Sequence, residues 1–177
     1  MMKEYQLNGI KSYDLKVLPD ERGFFAEILR QDWKEFLDDE WIAQASLSKS
    51  FPGTIRAWHR HARAQVDYFL ALQGAMKIVC YDDRCDSPTF GHLVEINVNE
   101  HKLQLVRIPG HYWHGNVVIG NTPLLMIYFV SKLYDYQNPD EERRPWNDSS
   151  IVPKVINGTR DDPRVGKPWR WDYPPHR

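Results

Sequence analysis

A chain of 177 residues suits one domain and is long enough to bury a core without disulfides or a structural metal. Its 23 basic and 24 acidic residues leave a net charge of -1, which excludes a nucleic-acid stripe or a polybasic membrane patch as the governing feature. Two cysteines, Cys80 and Cys85, are too few for a disulfide framework, and the charged start MMKEYQLNGIKSYDL lacks the apolar core of an export signal. The expectation is a soluble cytoplasmic protein with reduced thiols, no nucleic-acid partner and no membrane.

In chain order, the first expected element is a helix over Asp32–Asp39. Asp32 stands at the cap, Glu35 follows three residues later, and Trp33, Phe36 and Leu37 share a face. Seven short strands follow: Thr54–His61, Val66–Leu72, Ala75–Asp82, Leu93–Val98, Gln104–Ile108, Gly115–Ile119 and Leu124–Val130. Turn signals separate them, among them SPTFG from Ser87, PG at Pro109 and GNTP from Gly120. Strands of this length and spacing predict an all-β sandwich or barrel, with a jelly roll favoured and helices short and peripheral. The segment 138–177 is too rich in proline for regular structure. Its DEERR run (140–144) reads as a solvated loop. Trp169, Trp171 and Tyr173 are too large and apolar to be left in water, so the tail should lie across the barrel or a partner subunit.

Side chains alternate across a strand, so His59 and His61 should share a face with Ile55 and Ala57. On the next strand Gln65, Asp67 and Phe69 share one face, and Val66, Tyr68 and Leu70 the other. His114 follows a Pro-Gly turn, and Tyr128 falls on the face of Leu124 and Met126. A carboxylate in an apolar strand needs a partner, so Asp67 has one of three fates. It is an ion pair with Arg60, Arg63 or His61, a member of an acid–base site, or a metal ligand. Two His, a carboxylate and a third His suit a divalent transition metal, with His59, His61, Asp67 and His114 as ligands. The spacing resembles the cupin signature: Gly53, His59-Arg-His61, Asp67 and Gly74, then Pro109 and His114. Asp67 stands where glutamate is usual, one residue further from the His pair.

A broader resemblance runs from Glu21 to Asp148. ERGFFAE (21–27), TIRAWH (54–59), DDRCDSPTFG (82–91), QLVRIPGHYWHG (104–115) and PWND (145–148) are similar, in order, to segments of the dTDP-4-dehydrorhamnose 3,5-epimerase family. The resemblance implies a cupin-type jelly roll in a homodimer that exchanges strands. It also implies a dTDP-linked 4-keto-6-deoxy sugar as substrate and chemistry without a cofactor. The ketone acidifies the protons on C3 and C5; a base removes one, an enolate forms, and an acid returns a proton to the other face. His59 matches the family base and Tyr128 the acid, with Tyr134 and Tyr136 as neighbours that could take its place. Arg56 matches an arginine for diphosphate or enolate, and His114 the second histidine. Arg22, Phe25, Glu27 and Gln44 match residues that hold the nucleotide, partly from the partner subunit, and Ser46 stands where the family has asparagine.

Three departures accompany the resemblance. Asp67 stands where the family has a lysine beside the enolate, so either His61 or a metal ion supplies the positive charge, or the chain does different chemistry. The aspartate that orients the base has no clear counterpart, with Asp82 and Asp162 as candidates. Arg56 and His59, three apart, reach the same face only if the strand bulges at Ala57–Trp58. Three functions follow: a nucleotide-sugar epimerase or ketoisomerase, a metal-dependent cupin enzyme, or a non-catalytic nucleotide-sugar binder.

Overall fold

The structure is a computed structural model that describes residues 1–172. Among these, the first strands are β1 (Met2–Glu4), β2 (Lys11–Asp14), β3 (Val17–Asp20) and β4 (Gly23–Ala26). A helix, α1 (Lys34–Leu37), precedes β5 (Gln44–Ser50), β6 (Ile55–His61), β7 (Val66–Gln73) and β8 (Ala75–Tyr81). Then come β9 (His92–Asn99), β10 (Gln104–Pro109), β11 (Trp113–Ile119) and β12 (Leu124–Val130), with β13 (Glu141–Arg143) and β14 (Val155–Ile156) in the tail. The seven strands expected from sequence are β6 to β12, each within two residues of its expected ends. The helix is shorter than expected. Asp32 does not cap it but binds Arg30 at 2.6 and 2.9 Å, Trp33 takes the cap position, and two successive left-handed residues, Asp38 and Asp39, end it.

Two six-stranded sheets, β1-β2-β10-β7-β12-β5 and β13-β6-β11-β8-β9-β14, pack as a jelly roll, and β3–β4 form a separate hairpin. Phe69, Ala71, Val106, Ile108 and Met126 of the first sheet meet Met76, Ile78, Cys80, Val94 and Val118 of the second. Both outer faces are covered as well. Phe36 and Leu37 lie over Val66, Tyr68, Leu70, Leu105 and Phe129. The tail lays Ile151, Trp169 and Trp171 over Trp58, Val79, Tyr81 and Trp113. This double covering explains why the central strands read as unbroken apolar runs rather than alternating ones.

The tail crosses its own barrel, with the Trp171 ring 4.9 Å from that of Trp58. Tyr173 lies outside the described residues. DEERR is not a solvated loop: Glu141–Arg143 form β13, which extends the second sheet by pairing with β6. Both cysteines are free, Cys80 buried and Cys85 exposed. Among the described residues no helix is long and apolar enough to cross a membrane.

The SPTFG turn owes its form to Asp82, which is fully buried. It accepts hydrogen bonds from Arg84 at 2.9 Å and from the Ser87 and Thr89 hydroxyls at 2.6 and 2.7 Å. Burial would push its carboxyl up, but these bonds hold it well below the usual carboxylate range. Asp82 is therefore the anchor of a turn and not a partner of His59. Asp162 is likewise elsewhere, bound to Arg164 at 2.7 and 2.9 Å.

Candidate active site

A cavity of about 470 Å³ opens between the sheets at the end where β5 and β13 form the edges. Its walls come from the polar faces of β5, β6, β7, β11, β12 and β13.

The decisive local feature is in β6. His114 of β11 pairs with His59, but Asn116, two residues on, pairs with Arg56, three residues back. One extra residue therefore sits in β6 at Ala57–Trp58, whose peptide is cis. The bulge resets the strand's phase. Arg56, His59 and His61 all line the cavity, while Ile55 and Ala57 turn outward onto the Trp58 cluster. The expectation that Ile55 and Ala57 share the histidines' face is thus corrected. Gly115 makes room for the bulge: a Cβ there would lie 2.4 Å from Ala57 Cβ and 2.7 Å from the Arg56 carbonyl oxygen.

His59 Nδ1 lies 3.4 Å from Glu141 Oε1 of β13. A carboxylate there keeps the ring proton on Nδ1 and leaves Nε2 as the basic nitrogen. Burial pushes the imidazole down, the nearby His114 pushes the same way, and Glu141 opposes them without prevailing. The result is about 4, so the ring is neutral at pH 7. Arg56 donates to Ser50 at 2.8 Å, which holds the guanidinium at the wall. Tyr128 packs against the core beside Phe69, their rings 6.1 Å apart and edge to face.

At the cavity floor His61, Asp67 and His114 are 7, 5 and 2 % exposed. His61 Nε2 and His114 Nε2 lie 3.3 and 3.1 Å from the same oxygen, Asp67 Oδ2, and Gln65 donates to Oδ1 at 2.7 Å. Burial would push the Asp67 carboxyl up, but the contacts with His114 and His61 hold it well below the carboxylate range. Burial works against a charged His61 too, yet Asp67 raises it above its ordinary value. Of the three partners expected for Asp67, then, His61 is real. Arg60 goes instead to Glu142 and Asp83, and Arg63 to Asp140.

Of the four candidate metal ligands, His61, Asp67 and His114 offer donor atoms within 4.8 Å of one another, while His59 stands apart from that group. Gln44, Ser46, Tyr134 and Tyr136 line the cavity, but Arg22, Phe25 and Glu27 do not. Arg22 is on the exposed β3–β4 turn, paired with Asp20, and Glu27 follows β4, paired with Arg30. Two lining residues that the sequence reading passed over are Glu141 and Arg143. Their two-residue spacing in DEERR was the available signal.

The sequence profile of dTDP-4-dehydrorhamnose 3,5-epimerase matches residues 4–163. The probable low-salt glycan biosynthesis epimerase Agl13 of Haloferax volcanii is 43 % identical over 141 residues, covering 80 % of this chain and 89 % of that protein. The spore coat polysaccharide biosynthesis protein SpsL of Bacillus subtilis is 41 % identical over 145 residues, covering 82 % and 93 %. Among solved structures, dTDP-6-deoxy-D-glucose-3,5-epimerase of Legionella pneumophila, in complex with dTDP-4-keto-L-rhamnose, superposes with a TM-score of 0.74 at 26 % identity. That match covers 84 % of this chain and 80 % of the other. With a bulged jelly roll, a polar cavity and a sequence match over nearly its whole length, the chain belongs to the dTDP-4-dehydrorhamnose 3,5-epimerase family, whose members are isomerase-class enzymes.

Proposed function

We propose that the protein epimerises a dTDP-linked 4-keto-6-deoxy sugar by removing and returning a proton beside the ketone, as a step in deoxysugar or polysaccharide biosynthesis. The observation that carries this is His59: an imidazole neutral at pH 7, on a cavity wall, with a carboxylate at its far nitrogen. That is the state a general base requires.

In this scheme His59 Nε2 takes the proton on C3 or C5, and the electron pair moves into an enolate. Arg56 faces the developing negative charge or the diphosphate, and Tyr128 returns a proton from the opposite side. His114 assists near the same oxygens, and Glu141, rather than Asp82 or Asp162, orients the base. Gln44 and Ser46 hold the substrate. The proton transfers themselves call for no redox or group-carrying cofactor.

A homodimer completes the scheme. Among the described residues the β3–β4 hairpin pairs with neither six-stranded sheet and exposes Val17, Leu18, Phe24 and Phe25, and β5 leaves an open edge. Arg22, Phe25 and Glu27 are assigned to the cavity of the second copy. Two free cysteines fit the reducing cytoplasm that this scheme implies.

The test is solvent exchange. Wild-type protein in deuterated water with dTDP-4-keto-6-deoxyglucose should place deuterium at C3 or C5, and His59→Ala should slow this by roughly 10²- to 10⁴-fold. A wild type that binds the nucleotide sugar without exchange is a binder and not an epimerase of this substrate. Full exchange in the variant would remove His59 from the base role.

A further inference from the structure

A carbonyl oxygen only accepts, so His114 Nδ1, 3.0 Å from the Tyr112 carbonyl, carries a ring proton. In the neutral ring His114 Nε2 then presents a lone pair, 3.1 Å from Asp67 Oδ2. Gln65 also reaches this cluster. Its amide nitrogen must face the acceptor-only Asp67, to which it donates at 2.7 Å, and that nitrogen is also 3.4 Å from His61 Nε2. His61 Nε2 lies 3.3 Å from the same Asp67 Oδ2 and presents a lone pair there when its ring proton is on Nδ1.

Three electron-rich atoms then converge on one buried point, and they repel unless positive charge sits among them. A metal ion supplies it. Bonds of about 2.0–2.2 Å from one ion to N and O donors put neighbouring donors roughly 3 Å apart, close to the two separations from Asp67 Oδ2, and all three donors lie within 4.8 Å of one another.

We propose that His61, Asp67 and His114 bind one divalent first-row transition-metal ion, with the remaining coordination positions open to the cavity. Two histidines and one carboxylate with open positions are a known donor set for such ions. Outer supports are present for two of the three: the Tyr112 carbonyl behind His114 and the Gln65 amide on Asp67, while Asp140 Oδ2 lies 3.7 Å from His61 Nδ1, beyond hydrogen-bond reach. His59 stays outside the set, free to act as a base. The binding site stands whichever sugar the cavity takes. One consequence rests on the epimerase reading: the ion restores, beside the enolate, the positive charge that Asp67 removes by standing in place of the family's lysine.

The experiment uses the full chain purified without a polyhistidine tag, stripped with a chelator and titrated with Co²⁺ alone. We expect one Co²⁺ per chain with visible d–d absorption, and Asp67→Asn and His61→Gln each to weaken binding at least about tenfold. His101→Gln, in an exposed turn, should bind as wild type does. A second measurement uses the wild type and so does not depend on the folding of the floor variants. Zn²⁺ should shift the ring nitrogen resonances of His61 and His114 and leave those of His101 in place. Wild type that takes up less than about a tenth of an ion per chain overturns the proposal. So do Zn²⁺ shifts confined to other histidines, or folded floor variants with undiminished affinity. Since none of these readouts needs turnover, a failed exchange assay leaves the metal result standing, and the reverse.

Discussion

His59 feels opposed influences, and the pH dependence follows from their balance. Burial and the neighbouring His114 lower its pKa, and Glu141 raises it. The base works as the neutral ring, so activity is lost as pH falls through the folded-state value of about 4, not through the ordinary 6.5. The acid limb of kcat/KM should therefore lie well below pH 6.5. Glu141→Gln removes the one influence that raises the pKa, so it should move this limb to still lower pH. It should also cut kcat at least about tenfold through loss of orientation, with little change in KM. Rate profiles of wild type and variant measure both effects, and a purely structural Glu141 would leave the limb where it was. The strand phase and turn spacing pointed to His59 and His114, whereas Tyr128 entered through the family resemblance; all three line the cavity. Glu141 was not legible in sequence, because it sits in a run of five charged residues (140–144) with no apolar period to mark a strand.

At the scale of elements, the central strands announced themselves because both sheet faces are covered, which leaves long apolar runs between turn residues. β5 did not. Its inward Gln44, Ser46 and Ser48 are polar because they line the cavity, and its outward Leu47 is exposed at a sheet edge. The phase of β6 was legible only as a conditional, a bulge at Ala57–Trp58 if Arg56 and His59 were to share a wall. Its outward turn of Ile55 and Ala57 depends on contacts with the distant Trp58 cluster that spacing does not encode. Gly115 gives a direct test of the bulge. Gly115→Ala places a methyl group against Ala57 and the Arg56 carbonyl, so the strands must part. The cost should be about 1–3 kcal/mol in urea unfolding. Exchange activity should fall with it, because Arg56 and His59 take their positions from the same bulge.

For the whole molecule, the tail does two jobs from one stretch of chain. Trp169 and Trp171 seal the outer face of the second sheet, and β13 builds a wall of the cavity on the edge of the same sheet. Trp171 is nearly buried, stacks against Trp58, and donates from Nε1 to the Trp146 carbonyl at 2.9 Å. Trp171→Ala should cost about 3–5 kcal/mol, read from thermal or urea melts. The order of synthesis gives β13 a further meaning. Every strand of the barrel from β1 to β12 leaves the ribosome before Glu141 does, and domains begin to fold as they emerge. A chain released near residue 135 would hold every strand from β1 to β12 yet lack the carboxylate beside His59, so the partner of the base is the last part of the site to be made.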